Sequence, residues 1–216
     1  MIIDIRGTHG SGKSHIMRNL VTEYKNVPLQ GETYAGNKHH KRLDHLGYYF
    51  PKWDAVLIGK YESVCGGCDG VKTADEVCRR VRLFASKYRH VLLEGILVSH
   101  TFGRYSDLAT EVEANWQPTY NFCFLDTPLN TCISRVRKRR ITKQREDYNK
   151  KITKLADGKL IEPFDPKPLD PKNVKKDHAR IWGRLRLQAI EADHTVTVIP
   201  YRNSLSPILK LLGKKQ

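Results

Sequence analysis

The sequence predicts an α/β fold of three layers, with a mainly parallel five-stranded sheet, helices on both faces and an arginine-rich lid. Three observations lead there. The segment Gly7-Thr8-His9-Gly10-Ser11-Gly12-Lys13-Ser14 has the spacing G-x-x-x-x-G-K-S, with an apolar run before it and a helical pattern behind it. Further along, short apolar runs alternate with stretches whose apolar residues recur every three or four positions, as strands and helices do in βαβ units. The 216 residues suit one domain, 1–216, with a substrate-binding region at about 27–70 and a lid or basic region at about 135–175.

Met1-Ile2-Ile3-Asp4-Ile5 reads as the first buried strand. Ile16, Met17, Leu20, Val21 and Tyr24 mark one face of the helix that follows. Between them, the glycines let successive backbone N–H groups turn toward an anion, and the helix N-terminus adds its dipole. Gly7, Thr8, His9, Gly10, Ser11, Gly12, Lys13 and Ser14 are therefore expected to cradle a nucleoside triphosphate, ATP or GTP. Lys13 would place charge on the β- and γ-phosphates, and Ser14 would offer its hydroxyl to Mg²⁺.

Val27 to His45 is polar, irregular or hairpin-like, and carries the basic cluster Lys38-His39-His40-Lys41-Arg42. Tyr48-Tyr49-Phe50 and Ala55-Val56-Leu57-Ile58 read as two strands, the second in the core. It runs into Gly59-Lys60-Tyr61 and Cys65-Gly66-Gly67-Cys68-Asp69-Gly70, a loop at a strand's carboxyl end, where open α/β sheets bind ligands. Cys65 and Cys68 form a lone C-x-x-C with no second ligand pair at zinc-site spacing, a weak metal signal. Asp69 is either a turn former or a carboxylate aimed at a substrate hydroxyl.

Thr73-Ala74-Asp75-Glu76 is a capping box for a helix with Val77, Val81, Phe84, Ala85 and Tyr88 inside. Val91 to Leu97 is a near-continuous apolar run, as expected of a central parallel strand. Glu94 interrupts it, and a buried carboxylate is costly unless Mg²⁺, water, Lys13 or backbone amides compensate it. Tyr105, Leu108, Val112 and Trp116 share the next helical face; Arg104 before them is a contact for an anionic substrate or a surface arginine.

Tyr120 to Leu125 is a strand, and Asp126-Thr127-Pro128 turns it into a helix with Leu129, Cys132, Ile133 and Val136 inside. Arg135, Arg137, Arg139 and Arg140 project from its other faces. Residues 156–173 hold proline and Asp-Gly signals of a loop or lid. A helix restarts at Asp170-Pro171 with Val174, His178, Ile181, Trp182, Leu185 and Ala189 inside, His178 at the core's edge. Thr195 to Ile199 is the last strand, followed by Pro200-Tyr201-Arg202 and a short helix bearing Leu205, Ile208, Leu209 and Leu212.

The formal net charge is +15, and Arg135 to Arg186 alone holds 18 Lys/Arg against 7 Asp/Glu. Such a surplus attracts polyanions, and a nucleic-acid-facing surface is the sharper of two readings, a solvated helix face the other. The apolar runs are strand-length, which argues against a membrane span. With the first strand starting at Met1, no secretory leader is expected. The five cysteines are expected to be reduced in the cytoplasm, the host's if the source is viral.

The phosphate loop after a first strand, the run Val91-Leu92-Leu93-Glu94-Gly95, and Phe124-Leu125-Asp126-Thr127-Pro128 leading into a helix with Arg135 and Arg139 together resemble the P-loop kinases. The resemblance covers most of the chain and is poorest from Val27 to Gly70. It implies transfer of a γ-phosphoryl group, with Arg135 and Arg139 offsetting transition-state charge, Glu94 holding a metal-bound water, and Tyr201 near the adenine. No Asp-Arg-Tyr/Phe element follows the Glu94 strand, which departs from thymidylate kinases. Gly59-Lys60-Tyr61 with Cys65-Gly66-Gly67-Cys68-Asp69, on so basic a chain, looks like the phage kinases that phosphorylate 5-hydroxymethyluracil within DNA. That implies a DNA partner, Asp69 orienting the acceptor hydroxyl with Glu94 in reserve, and Tyr61 or Trp53 stacking on an extruded base. Alternatives are a kinase of free nucleosides or nucleotides using Arg104 and residues 38–42, a nucleotide-dependent switch, and a zinc-stabilised binding module.

Overall fold

The computed structural model describes residues 1–35, 38–62, 66–154 and 163–213, the side chains of 35, 38–42, 153 and 154 excepted. Its centre is β1 (Ile2–Arg6), buried along its whole length. α1 (Lys13–Glu23), β2 (Val27–Ala35), β3 (Lys38–Phe50) and β4 (Ala55–Ile58) follow. A short 3₁₀ turn, Cys68–Gly70, precedes α2 (Ala74–Ala85), β5 (His90–Glu94), α3 (Ile96–His100), α4 (Gly103–Trp116) and β6 (Tyr120–Asp126). Then come α5 (Leu129–Lys154), α6 (Lys172–His178), a π-helical segment Ala179–Leu185, α7 (Arg186–Glu191), β7 (Thr195–Pro200) and α8 (Leu205–Leu211).

The sheet has seven strands in the order β2-β3-β4-β5-β1-β6-β7, not the five expected. β4, β5, β1, β6 and β7 run parallel, while β3 is antiparallel to β4 and β2 to β3. The two extra strands are the polar stretch with the hairpin-like reading. Their register slips between Leu29 and Gln30 and between Glu32 and Thr33. Such irregular pairing masks the period-2 alternation by which a strand is recognised.

The inner strands are apolar on both faces because both faces are covered. Val56, Ile58, Val91, Leu93, Phe122 and Phe124 pack in the cluster that includes α2, α4, the π segment and α7. Ile3, Ile5, Leu57, Leu92, Cys123 and Leu125 pack in the cluster that includes α1 and α8. The Thr73 hydroxyl accepts from the Glu76 N–H at 3.1 Å, half of the expected capping box. The Glu76 carboxylate turns instead to Arg79 and Arg80, each at 2.7 Å.

The apolar run to Leu97 does not stay a strand. β5 stops at Glu94, and α3 begins at Ile96 because Asp69 accepts its N–H at 2.8 Å and that of Leu97 at 3.2 Å. No helix among the described residues is long and apolar enough to cross a membrane.

Candidate phosphate-binding site

The loop between β1 and α1 sits at the carboxyl end of the central parallel strands, with β5 and β6 on either side. Gly10 has φ 77°, and a Cβ there would lie 2.5 Å from the Cys132 carbonyl oxygen of α5. Only glycine takes that conformation freely and lets the two backbones come so close. α5 grips the loop further: Arg135 Nη1 donates to the Gly10 and Ser11 carbonyls at 3.2 and 3.1 Å. Thr127 Oγ1 donates to the Ser11 carbonyl at 2.8 Å, and Gly7 N–H donates to Ser99 Oγ at 3.2 Å.

Beside the loop opens a cavity of about 530 Å³. Its walls are the loop itself, His15 and Arg18 of α1, Asp69, Ile96 and Leu97, and Arg135 and Arg139 of α5. Its size falls in the range of small-molecule sites.

Lys13 is 7% exposed, and its Nζ donates to the Gly7 carbonyl at 2.6 Å and the Thr8 carbonyl at 3.3 Å. Glu94 is fully buried, and its Oε2 accepts from Ser14 Oγ at 3.2 Å. Burial raises the Glu94 carboxyl to about 7 against the pull of Lys13, while burial lowers Lys13 despite Glu94. Both groups are thus pushed toward their neutral forms, so desolvation outweighs their mutual attraction. Glu94 Oε1 has no hydrogen-bond partner, nor do the hydroxyls of Thr8 and Ser11. Gly67, at φ 70°, is what lets the 3₁₀ turn lie against this carboxylate, because a Cβ there would overlap Glu94 Oε1.

The comparisons with known proteins agree on one family. A family profile described as 5-hmdU DNA kinase matches residues 2–157. The chain belongs to the 5-hmdU DNA kinase family. It is 33% identical over 146 residues to a 5-hmdU DNA kinase of Pseudomonas phage PaMx11, covering 66% of this chain and 70% of that one. It is 30% identical over 144 residues to one from Bacillus phage SP10, covering 64% of this chain but only 21% of that longer protein. A third, from Delftia phage PhiW-14, is 26% identical over 228 residues, covering 99% of this chain and 77% of the relative. As a member of a kinase family the chain is a phosphotransferase.

Within this family member, the geometry gathers some of the sequence-derived candidates and scatters others. Lys13, Ser14, Asp69, Arg135 and Arg139 share the cavity wall, as do Thr8, His9, Gly10, Ser11 and Gly12; Glu94 lies behind Ser14. Tyr61 does not present a ring for stacking: it is 5% exposed, and burial and Glu94 push its phenol well above its ordinary range. Trp53 is likewise in the core, against Tyr24 and Phe50. Arg104 is absent from the cavity wall and pairs with Asp75 on α2. Tyr201 lies just beyond β7, where Arg202 donates to its hydroxyl at 2.9 Å, and does not line the cavity. Cys65 and the side chains of residues 38–42 lie outside the described residues. Cys68 is buried with its thiol pushed up by burial and by Glu94, and no group of three or more potential metal ligands occurs among the described residues.

Two arrangements escaped the sequence reading. Asp4 and Arg6 form a fully buried ion pair at 2.8 Å under the loop, with Tyr120 donating to Asp4 and the Arg6 guanidinium 4.9 Å from the Phe122 ring centroid. Burial raises the Asp4 carboxyl even against Arg6. Opposite charges two residues apart in a strand share one face, which was the available signal. Second, Asp177 of α6 stands 3.2 Å from His100 Nε2 and 3.9 Å from His9 Nε2, where the loop, α3 and α6 meet, and burial lowers the pKa of both histidines. No local pattern links residues so far apart in the chain.

Proposed function

We propose that this enzyme transfers the γ-phosphoryl group of ATP to the hydroxymethyl group of 5-hydroxymethyluracil in DNA. Membership of the 5-hmdU DNA kinase family over residues 2–157 carries the reading, because every residue lining the cavity falls inside that match. Five parallel strands with the glycine-rich loop at their carboxyl end and the arginines of α5 above it suit a P-loop kinase fold. The donor set suits a triphosphate: loop amides, the Lys13 ammonium and two arginines.

Ser14 and the Glu94 carboxylate, whose Oε2 accepts from Ser14, would hold Mg²⁺, which would supply positive charge at the phosphates. Lys13, Arg135 and Arg139 bind the phosphates and offset the charge that builds up during an in-line transfer. Asp69 orients the acceptor hydroxyl and takes its proton. It stands in the cavity wall, and its Oδ2 accepts a single N–H, from Ile96 at 2.9 Å, so it retains a lone pair for that hydroxyl. Tyr201 is the side chain assigned to the adenine. Arg137, Lys138, Arg140 and Lys143 of α5 continue the positive surface away from the site and are assigned to DNA phosphates.

The test is transfer of labelled γ-phosphate to a panel of acceptors: hydroxymethyluracil-containing DNA, unmodified DNA with free ends, and free nucleosides and nucleotides. Label is expected in the modified DNA alone. Labelling of a free nucleoside or nucleotide in place of DNA would overturn the reading.

A further inference from the structure

We infer that the tip of α3, Ile96 and Leu97, is the platform that receives the extruded hydroxymethyluracil base; this rests on the acceptor proposed above. The hydroxymethyl group is bonded directly to the pyrimidine ring. Whatever orients its hydroxyl must therefore stand within a few ångströms of the ring itself. Asp69 is assigned that role, and its carboxylate holds the backbone N–H groups of Ile96 at 2.8 Å and Leu97 at 3.2 Å. The side chains nearest the acceptor oxygen and those available to the ring are thus one rigid unit.

Those side chains suit a base. Ile96 and Leu97 are the only hydrophobic residues among the described residues lining the cavity, whose other walls are loop, cationic groups and Asp69. Leu97 is 62% exposed, an aliphatic surface at the edge of a polar phosphate site. A lone exposed leucine needs no explanation in general. Here it lines the cavity that Asp69 also lines, beside the hydroxyl that Asp69 is assigned to orient. The aromatic candidates offer no competing platform, since Tyr61 and Trp53 are buried in the core. A base taken out of the stack is commonly held between aromatic or apolar side chains. His15 and Arg18 of α1 line the same cavity and supply groups that suit the flanking phosphates of an extruded nucleotide.

The experiment uses the full chain and a duplex oligonucleotide with a single hydroxymethyluracil, comparing wild type with Leu97→Ala and Leu97→Asp. Leu97 is exposed, so both variants should melt with the wild type. The KM for the modified duplex is expected to rise about tenfold in Leu97→Ala, as buried methylene contacts are lost, and further in Leu97→Asp. The KM for ATP and the Kd for unmodified duplex should stay within about twofold of wild type. An unchanged KM for the modified duplex in both variants would overturn the inference. So would parallel rises for ATP and DNA, which would place Leu97 on the donor side. Failure of the wild type to label the modified duplex removes the acceptor itself and is recognised before any variant is compared.

Discussion

Replacing Asp69 with Asn separates anchoring from chemistry at the carboxylate most exposed to both. Asn keeps the size and one acceptor oxygen but removes the charge and the second acceptor. In the native protein the carboxylate receives the Ile96 N–H at 2.8 and 2.9 Å and the Leu97 N–H at 3.2 Å. A hydrogen bond to a charged acceptor contributes about 1.5–3 kcal/mol, and with one oxygen retained the loss should be about 1–2 kcal/mol. For a chain of this size that corresponds to a fall in Tm of about 2–8 °C, read by thermal melting. Removing the proposed proton acceptor should also slow single-turnover transfer by about 10²-fold or more, with ATP affinity retained. A Tm loss with transfer within about threefold of wild type would leave Asp69 only as the anchor of α3. An unchanged Tm would refute the anchoring energetics.

Lys13→Ala should reduce single-turnover transfer by about 10²–10³-fold while DNA affinity persists, as measured by filter binding, because it removes a charge from the donor site alone. Glu76→Ala should cost about 3–5 kcal/mol in denaturant unfolding, because Arg80 is 3% exposed and would lose its buried partner. His90 gives a pH signature: burial, helped by the N-terminal ammonium, lowers its pKa to about 4. The unfolded chain then binds a proton near pH 6.5 that the folded chain refuses, so stability falls as pH drops from about 6.5 toward 4. That contribution amounts to about 2–3 kcal/mol, and His90→Gln should flatten the unfolding profile over this window.

What was legible in the sequence was what the chain encodes locally. The phosphate loop, the strands β1, β4, β5, β6 and β7, and the α5 arginines each carry their signal within a dozen residues. The hairpin β2–β3 was only half legible, since its polar strands pair irregularly and one end lies at the sheet's edge. The strand reading of Val91 to Leu97 ran three residues past its proper end for a different reason. Ile96 and Leu97 are as apolar as Leu92 and Leu93, and only Asp69, 27 residues upstream of Ile96, turns them into a helix.

The same distinction explains why the loop was readable at once, while of the opposite cavity wall only Asp69 was singled out in advance. Phosphate recognition uses backbone amides and the side chains of one loop, so eight consecutive residues suffice to announce it. The proposed acceptor wall draws on the turn Cys68–Gly70, the start of α3 and the exposed side of α1, three segments that meet only after β4, β5 and β1 have paired. Composition misled in the same place: aromatic rings drew attention to Tyr61 and Trp53, yet their size is what the core uses to fill the space behind β1 and β4. An exposed leucine carries no such emphasis in a sequence. It acquires meaning only when Asp69 fixes it at the edge of a cavity whose remaining walls are loop and cationic groups. The acceptor preference of this enzyme should accordingly respond to substitutions on α3 more than to any aromatic position named by the sequence alone.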